Sequence, residues 1–173
     1  LPARYADLLR RIYAALDVDS LQVPPASSAT PRDGLADTTE MYARIRYNFN
    51  HVVFVVETAG QDLLEQVHQA LDDLEAENMT TAYVDLPLDD PDTPAATDLL
   101  CEYDFVFAGL MPRFHEERDY LRLQWPLVQL DPDGIEVYPD PAADPKSHIL
   151  SELSWTPNDT ETPSPSARGA TSI

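Results

Sequence analysis

The sequence predicts an α/β domain: a mixed β-sheet with covering helices, in the order α-β-β-α-β-α-β-β. Three observations carry the prediction. Val52 to Val56 is an unbroken apolar run, as expected of a strand covered on both faces. Leu63, Leu64, Val67, Ala70, Leu71 and Leu74 recur at helical spacing directly after it. A second apolar strand pattern, Thr81 to Leu86, follows that helix, so the unit is a β-α-β crossover with both strands in one sheet.

The elements follow in order. Leu8, Leu9, Ile12, Tyr13 and Leu16 form an apolar stripe, with Arg4, Asp7, Arg10 and Arg11 on the remainder. This predicts a helix over 1–16, with Pro2 suited to its start. Residues 17–38, with Pro24, Pro25, Ser27, Ser28, Pro31 and Gly34, read as a linker or long loop. Met41, Ala43, Ile45 and Tyr47 alternate with Tyr42, Arg44 and Arg46, which is strand periodicity with one wetter face. Asn48-Phe49-Asn50 suits a tight turn, so 39–47 and 51–58 are expected to form a hairpin. Gly60 ends the second strand. Asp62 with Glu65 resembles a capping box, and Asn78 is a plausible helix stop.

Pro87 closes the next strand, and Thr93-Pro94 places a cap before a first-turn proline. That helix runs through Leu99, Leu100 and Tyr103. Phe105 to Leu110 reads as a short strand, Pro112 to Arg118 as a polar connection, and Leu121, Leu123 and Trp125 as one face of a last strand. The α/β domain thus spans 39–127. Residues 128–150 form an acidic extension, with one further short strand allowed near 135–138. From 151 to 173 Thr, Ser, Pro and Ala dominate, and a disordered tail is expected.

Charge limits the partners. The 173 residues hold 31 acidic and 11 basic side chains, a formal charge of -20. Lys146 is the only lysine. The pattern resembles the surface of a cytoplasmic protein from a salt-accumulating halophile, such as a haloarchaeon, whose acids are expected to repel one another until salt screens them. Nucleic acid and anionic membrane surfaces are disfavoured, since both need a basic patch. No stretch suits a transmembrane helix and no leader is visible. Cys101 is the sole cysteine, which excludes an internal disulfide and fits a reducing compartment. Leu1 is not an initiator methionine, so the chain is expected to be part of something longer.

The stretch AATDLLCEYDFVFAG carries a family resemblance. Ala96, Leu99, Phe105 and Gly109 fall where the GNAT (GCN5-related N-acetyltransferase) family carries the same residues in the C-terminal half of its fold. LPARYADLLRRIYAALDV and FAGLMPRF…DYLRLQW look like a GNAT-type C-terminal module. The resemblance covers roughly residues 1 to 127, most clearly 51 to 127. It implies an acyl-CoA-dependent N-acetyltransferase parent, acetyl-CoA as the family's cofactor, and a sheet splayed between the strands at 51–58 and 80–86.

Departures from the family pattern are as informative. Where the resemblance implies a glycine-rich loop cradling the coenzyme A pyrophosphate, this chain has Glu57-Thr58-Ala59-Gly60-Gln61-Asp62, with one glycine, two acids and no base. The family's general-acid tyrosine aligns with Leu100, and the glycine that precedes its phenylalanine aligns with Asp104. No catalytic residue is therefore carried over, no cofactor is assigned to this chain, and Tyr103 is only a displaced candidate acid. The expectation is a non-catalytic C-terminal module that packs on a preceding GNAT domain of the same polypeptide or forms a homodimer. The alternatives are a ferredoxin-like or ACT-like sensing module, whose sheet would interleave its strands, and a ligand-free interaction domain.

Other chemistry is thin. His115-Glu116-Glu117 matches no zinc spacing, and His51, His68 and His148 are scattered, so no metal site is expected. Cys101 reads as a small core residue rather than a nucleophile. Asp85, Asp89, Asp90 and Asp92 lack calcium-loop spacing and suit turns and caps. Ser27 and Ser28 lack a nucleophile-elbow context. The scarce arginines remain. Arg44 and Arg46 lie on one face of the first strand and Arg122 on one face of the last, and if those faces meet they make a basic spot. They either pair with acids across the sheet or form an anion or partner patch, which Arg113 and Arg118 could join.

Overall fold

The computed structural model describes residues 1–16, 25, 34–75, 79–126, 145–149 and 151. A single 3-10 turn, Ala3–Tyr5, leads into α1 (Ala6–Ala15). β1 (Glu40–Arg46) and β2 (His51–Thr58) follow, then α2 (Leu63–Glu75), β3 (Thr81–Pro87), α3 (Thr93–Cys101), β4 (Val106–His115) and β5 (Arg118–Pro126). The five strands form one mixed sheet in the order β1-β2-β3-β5-β4. β2 and β3 are parallel, and the other pairs are antiparallel. The expected stop at Asn78, the strand near 135–138, the tail and most of the 17–38 segment lie outside the described residues.

β2 and β3, joined by α2, are immediate neighbours, so the interleaved sheet of the ferredoxin-like alternative is not formed. Their pairing runs from His51–Thr81 to Val55–Asp85 and stops there. Both strands continue beyond that point, β2 to Thr58 and β3 to Pro87. The sheet therefore splays at the C-terminal ends of these two strands, where the GNAT resemblance implies an opening.

Pleat alternation divides the sheet into two unlike faces. Val52, Phe54, Val56, Ala82, Val84, Leu86, Phe107, Leu121 and Leu123 face the main core. Leu63, Val67 and Leu71 of α2, Leu99 and Leu100 of α3, Leu8, Leu9 and Tyr13 of α1, and Tyr5 of the turn before it pack on that one face. Burying a side chain of this size contributes about 1.5–3 kcal/mol, so this layer holds the fold together. Among the described residues the opposite face has a small apolar cluster, Val53, Val55 and Tyr120, flanked by Tyr83 and Met111.

Several boundaries differ from the sequence expectation, each for a local reason. Asn50 takes a left-handed conformation (φ 50°) and closes the β1–β2 hairpin as expected. β1, read as having one dry face, is exposed on nearly every residue because it lies at the sheet edge. Tyr103 falls in the turn after α3, not in the helix. Asp104, at the position of the family's glycine, has φ 66°, and Phe105 N–H bonds back to Leu100 O at 3.2 Å. This is the left-handed helix ending that glycine usually supplies, here adopted by an aspartate.

β4 and β5 extend through the expected polar connection to a turn at Glu116 and Glu117, both left-handed. Pro112 is tolerated within β4 because β4 is the other edge strand. Thr93 does not cap α3. Its hydroxyl donates to Pro87 O at 2.5 Å and ties the helix start to the end of β3.

Candidate functional site

Two places on the splayed sheet could support chemistry. The first is the loop from Glu57 to Asp62, between β2 and α2. In the family it resembles, this loop offers backbone N–H groups to a pyrophosphate. Here two of those groups are already bonded. Gly60 N–H donates to Thr39 Oγ1 at 2.9 Å, and Gln61 N–H donates to Ala36 O at 2.8 Å. Leu63 N–H turns back to Gly60 O at 3.2 Å. Ala36 and Gly60 also form an isolated parallel bridge, so the strip 35–39 lies along the loop.

Gly60 is required by this closure. A Cβ there would lie 2.4 Å from the Thr38 carbonyl carbon and 2.5 Å from Thr39 N. Glycine serves here for close contact with the protein's own backbone rather than with a ligand.

Asp62 completes the closure. Its carboxylate accepts from Thr39 N–H at 2.6 Å and from Gln66 Nε2 at 2.9 Å. Gln66 Nε2 also donates to Thr39 O at 3.2 Å. These bonds, that from Gln66 foremost, hold the Asp62 carboxyl below its ordinary value. Asp62 reaches back to Thr39 as well as forward along α2 to Gln66. A carboxylate thus stands at the start of α2, where an external anion would benefit from the helix dipole. A pyrophosphate would meet a fixed negative charge and N–H groups that are already engaged.

The second place is the open face near the end of the β2–β3 pairing. Asp85 is fully buried there. Its cross-strand neighbour Arg122 donates to both carboxylate oxygens, at 2.6 and 2.7 Å. The Arg122 guanidinium also stacks between Tyr83 and Phe114, 5.2 and 5.3 Å from their centroids. His115 folds over the same spot, edge-on to Tyr120, with Nε2 3.8 Å from Asp85 and no hydrogen-bond partner. Burial pushes His115 below the ordinary 6.5, and Arg44 and Arg122 add to this while Asp85 opposes it. A carboxylate with both oxygens held by a guanidinium is not an available base. His115 is too enclosed to exchange protons with a ligand. The cluster closes this part of the sheet.

The arginines read from sequence lie on this face but are employed differently. Arg122 pairs across the strands with Asp85. Arg44 stacks on Tyr42, donating to its hydroxyl at 3.1 Å. Arg46 lies beside His51 and, with Arg122, lowers its pKa after the larger effect of burial. Arg118 grips Asp89 through two nitrogens, at 2.6 to 3.0 Å.

The remaining candidates are structural. Leu100 is fully buried in the core. Tyr103 sits edge-on to His68, with centroids 5.4 Å apart. Cys101 Sγ is 3.1 Å from the buried Tyr5 hydroxyl. Asp90 accepts from Asp92 N–H at 2.8 Å in a turn. Among the described residues no group of three or more His, Cys, Asp or Glu could hold a metal ion.

No family model matches the chain, and no curated protein matches it. Among solved structures it is similar to one described as the crystal structure of the NatC complex bound to Gag peptide and CoA. The match has 17% identity and a TM-score of 0.39, and covers 52% of this chain and 60% of that chain. It therefore spans less than two thirds of that protein, and the peptide and CoA belong to that complex. Among the described residues no helix is long and apolar enough to cross a membrane.

The acids of the 57–62 loop were read directly from the sequence. Sequence reasoning did not anticipate the strip 35–39 lying on that loop or His115 covering Asp85. A β-branched Thr39 followed by strand periodicity gives no sign of a partner 21 residues away.

Proposed function

We propose that this chain is a GNAT-related domain without an acyl-CoA site, serving as a non-catalytic packing module of a longer acyl-CoA-dependent N-acetyltransferase. The parent would transfer an acyl group to an amine at a site supplied by other residues. One observation carries the reading: Gly60 and Gln61 spend their N–H groups on Thr39 and Ala36, with the Asp62 carboxylate beside them. The acidic composition supports a working environment of high salt, as in the cytoplasm of a salt-accumulating halophile. The preceding acetyltransferase domain of the same polypeptide, or a second copy, would be the partner.

Titration calorimetry with acetyl-CoA in molar KCl tests this. No binding is expected. Micromolar affinity would overturn the reading, because it would require the loop to release its internal bonds at small cost.

A further inference from the structure

β1 is an edge strand whose outer side has no strand beside it among the described residues. Long open edges are commonly protected by length, charge or cover. This one has seven residues, and its surroundings are conspicuously apolar. Of the seven exposed large hydrophobics among the described residues, four fall on β1 or its turn: Tyr42 38%, Ile45 37%, Tyr47 62% and Phe49 73%. Such concentration marks an interaction surface.

The sequence of the strand, Glu-Met-Tyr-Ala-Arg-Ile-Arg, is complementary to itself when reversed. We infer that β1 pairs edge to edge, antiparallel, with β1 of a second copy, with the two-fold axis at Ala43. In that register Glu40 faces Arg46 of the other strand, and Met41 faces Ile45. Tyr42 faces Arg44, and Ala43 faces itself. The charged and aromatic pairs all lie on the open sheet face, and the Met–Ile pairs lie on the helix face. Neither Glu40 nor Arg46 has an ion pair within the chain among the described residues, so the contact would satisfy both. The small Ala43 side chain leaves room beside its own copy at the axis. The result is a continuous ten-stranded sheet with an isologous interface.

Charge complementarity selects a second copy as the occupant. Two of the scarce arginines stand on this strand, yet an acid at its other end makes the strand, not the whole surface, self-matching. The two bodies, each at -20, repel in dilute buffer. Screening lengths near 3 Å in 1 M salt remove that repulsion while leaving the backbone ladder intact. Dimerisation should therefore strengthen with salt.

This inference deepens the reading of the chain as a packing module by naming the edge and the partner. Sedimentation equilibrium in molar KCl should show a reversible dimer. Arg46→Glu places two acids opposite each other and should weaken association at least tenfold. Adding Glu40→Arg to that variant restores opposite charges at both ends and should restore the dimer. With Cys101→Ser as background, Ala43→Cys should cross-link two copies on oxidation, whereas Ile45→Cys, distant from its own copy in this register, should not. A monomer at every concentration, with no cross-link at Ala43→Cys, overturns the inference. The edge would then be met by another segment of a longer polypeptide or protected by its charges alone. Cross-linking at Ile45→Cys instead would overturn the register. None of these outcomes depends on CoA, so failure here leaves the calorimetric test of the module reading untouched.

Discussion

Arg122 holds both oxygens of the buried Asp85 carboxylate across the β3–β5 pair, at the point where β2 and β3 part. Cutting one partner leaves an uncompensated charge in the sheet. Arg122→Met is therefore expected to cost about 3–5 kcal/mol. Replacing both residues, as Asp85→Leu with Arg122→Met, should recover most of that loss, because an apolar pair leaves no charge to solvate. Urea denaturation in constant molar KCl reads the difference. Equal losses in the single and double variants would contradict the pairing.

His115 should make the fold acid-sensitive. Its folded pKa lies below the ordinary 6.5, so between the two values the unfolded chain binds more protons. Stability is then fully present above 6.5 and falls as the pH drops through 6.5 towards the depressed value. His51 is shifted in the same direction and contributes with the same sign. His115→Phe keeps a ring against Tyr120 and removes the buried, unpaired Nε2. The variant should be the more stable protein, with an advantage that widens below pH 6.5. Thermal melts from pH 8 to 5 test this, and a constant gap would refute it.

Gly60→Ala should be strongly destabilising despite its small size. The added methyl meets backbone of Thr38 and Thr39, which cannot rotate away as a side chain could. A loss of about 1–3 kcal/mol is expected from overpacking alone. Hydrogen exchange should show faster exchange at Gly60 and Gln61. Unchanged protection at these two amides would mean that strip 35–39 is not what holds the loop.

Salt should raise the melting temperature by many degrees. The sequence has 31 acids and 11 basic residues. Among the described residues Arg10 pairs with Asp7, Arg118 with Asp89 and Arg122 with Asp85, which neutralises few of the acids. Most acids must therefore repel one another. In dilute buffer the screening length is roughly 30 Å, comparable to the domain, and in 1 M salt about 3 Å. A melting temperature flat from dilute buffer to molar KCl would rule out the halophilic reading.

The parts of the fold legible in the sequence were those governed by one-dimensional periodicity. Val52 to Val56 announced a strand buried on both sides, and Leu63, Val67 and Leu71 announced the inward face of α2. The acidic loop was legible because charge is a property of composition. The loop's closure was not, since Thr39 and Gly60 meet through tertiary contact and small polar residues carry no period. Tyr5 escaped notice for a related reason. It precedes α1 in a 3-10 turn, yet it is fully buried against Phe107, 5.4 Å between centroids. Pro112 suggested the end of β4, but at a sheet edge a missing N–H costs no ladder bond, so the strand continues to His115.

The position of β5 between β3 and β4 also orders events during synthesis. β3 and β4 emerge first, but neither has its antiparallel partner until the chain has been made through Pro126. At about 5–20 residues per second, the roughly 40 residues after β3 leave its edge open for seconds. During that interval the nascent chain presents Thr81 to Pro87 as an unpaired template, the kind of edge that recruits a neighbouring polypeptide. The interval ends when β5 pairs with β3 on one side and β4 on the other, and the sheet closes.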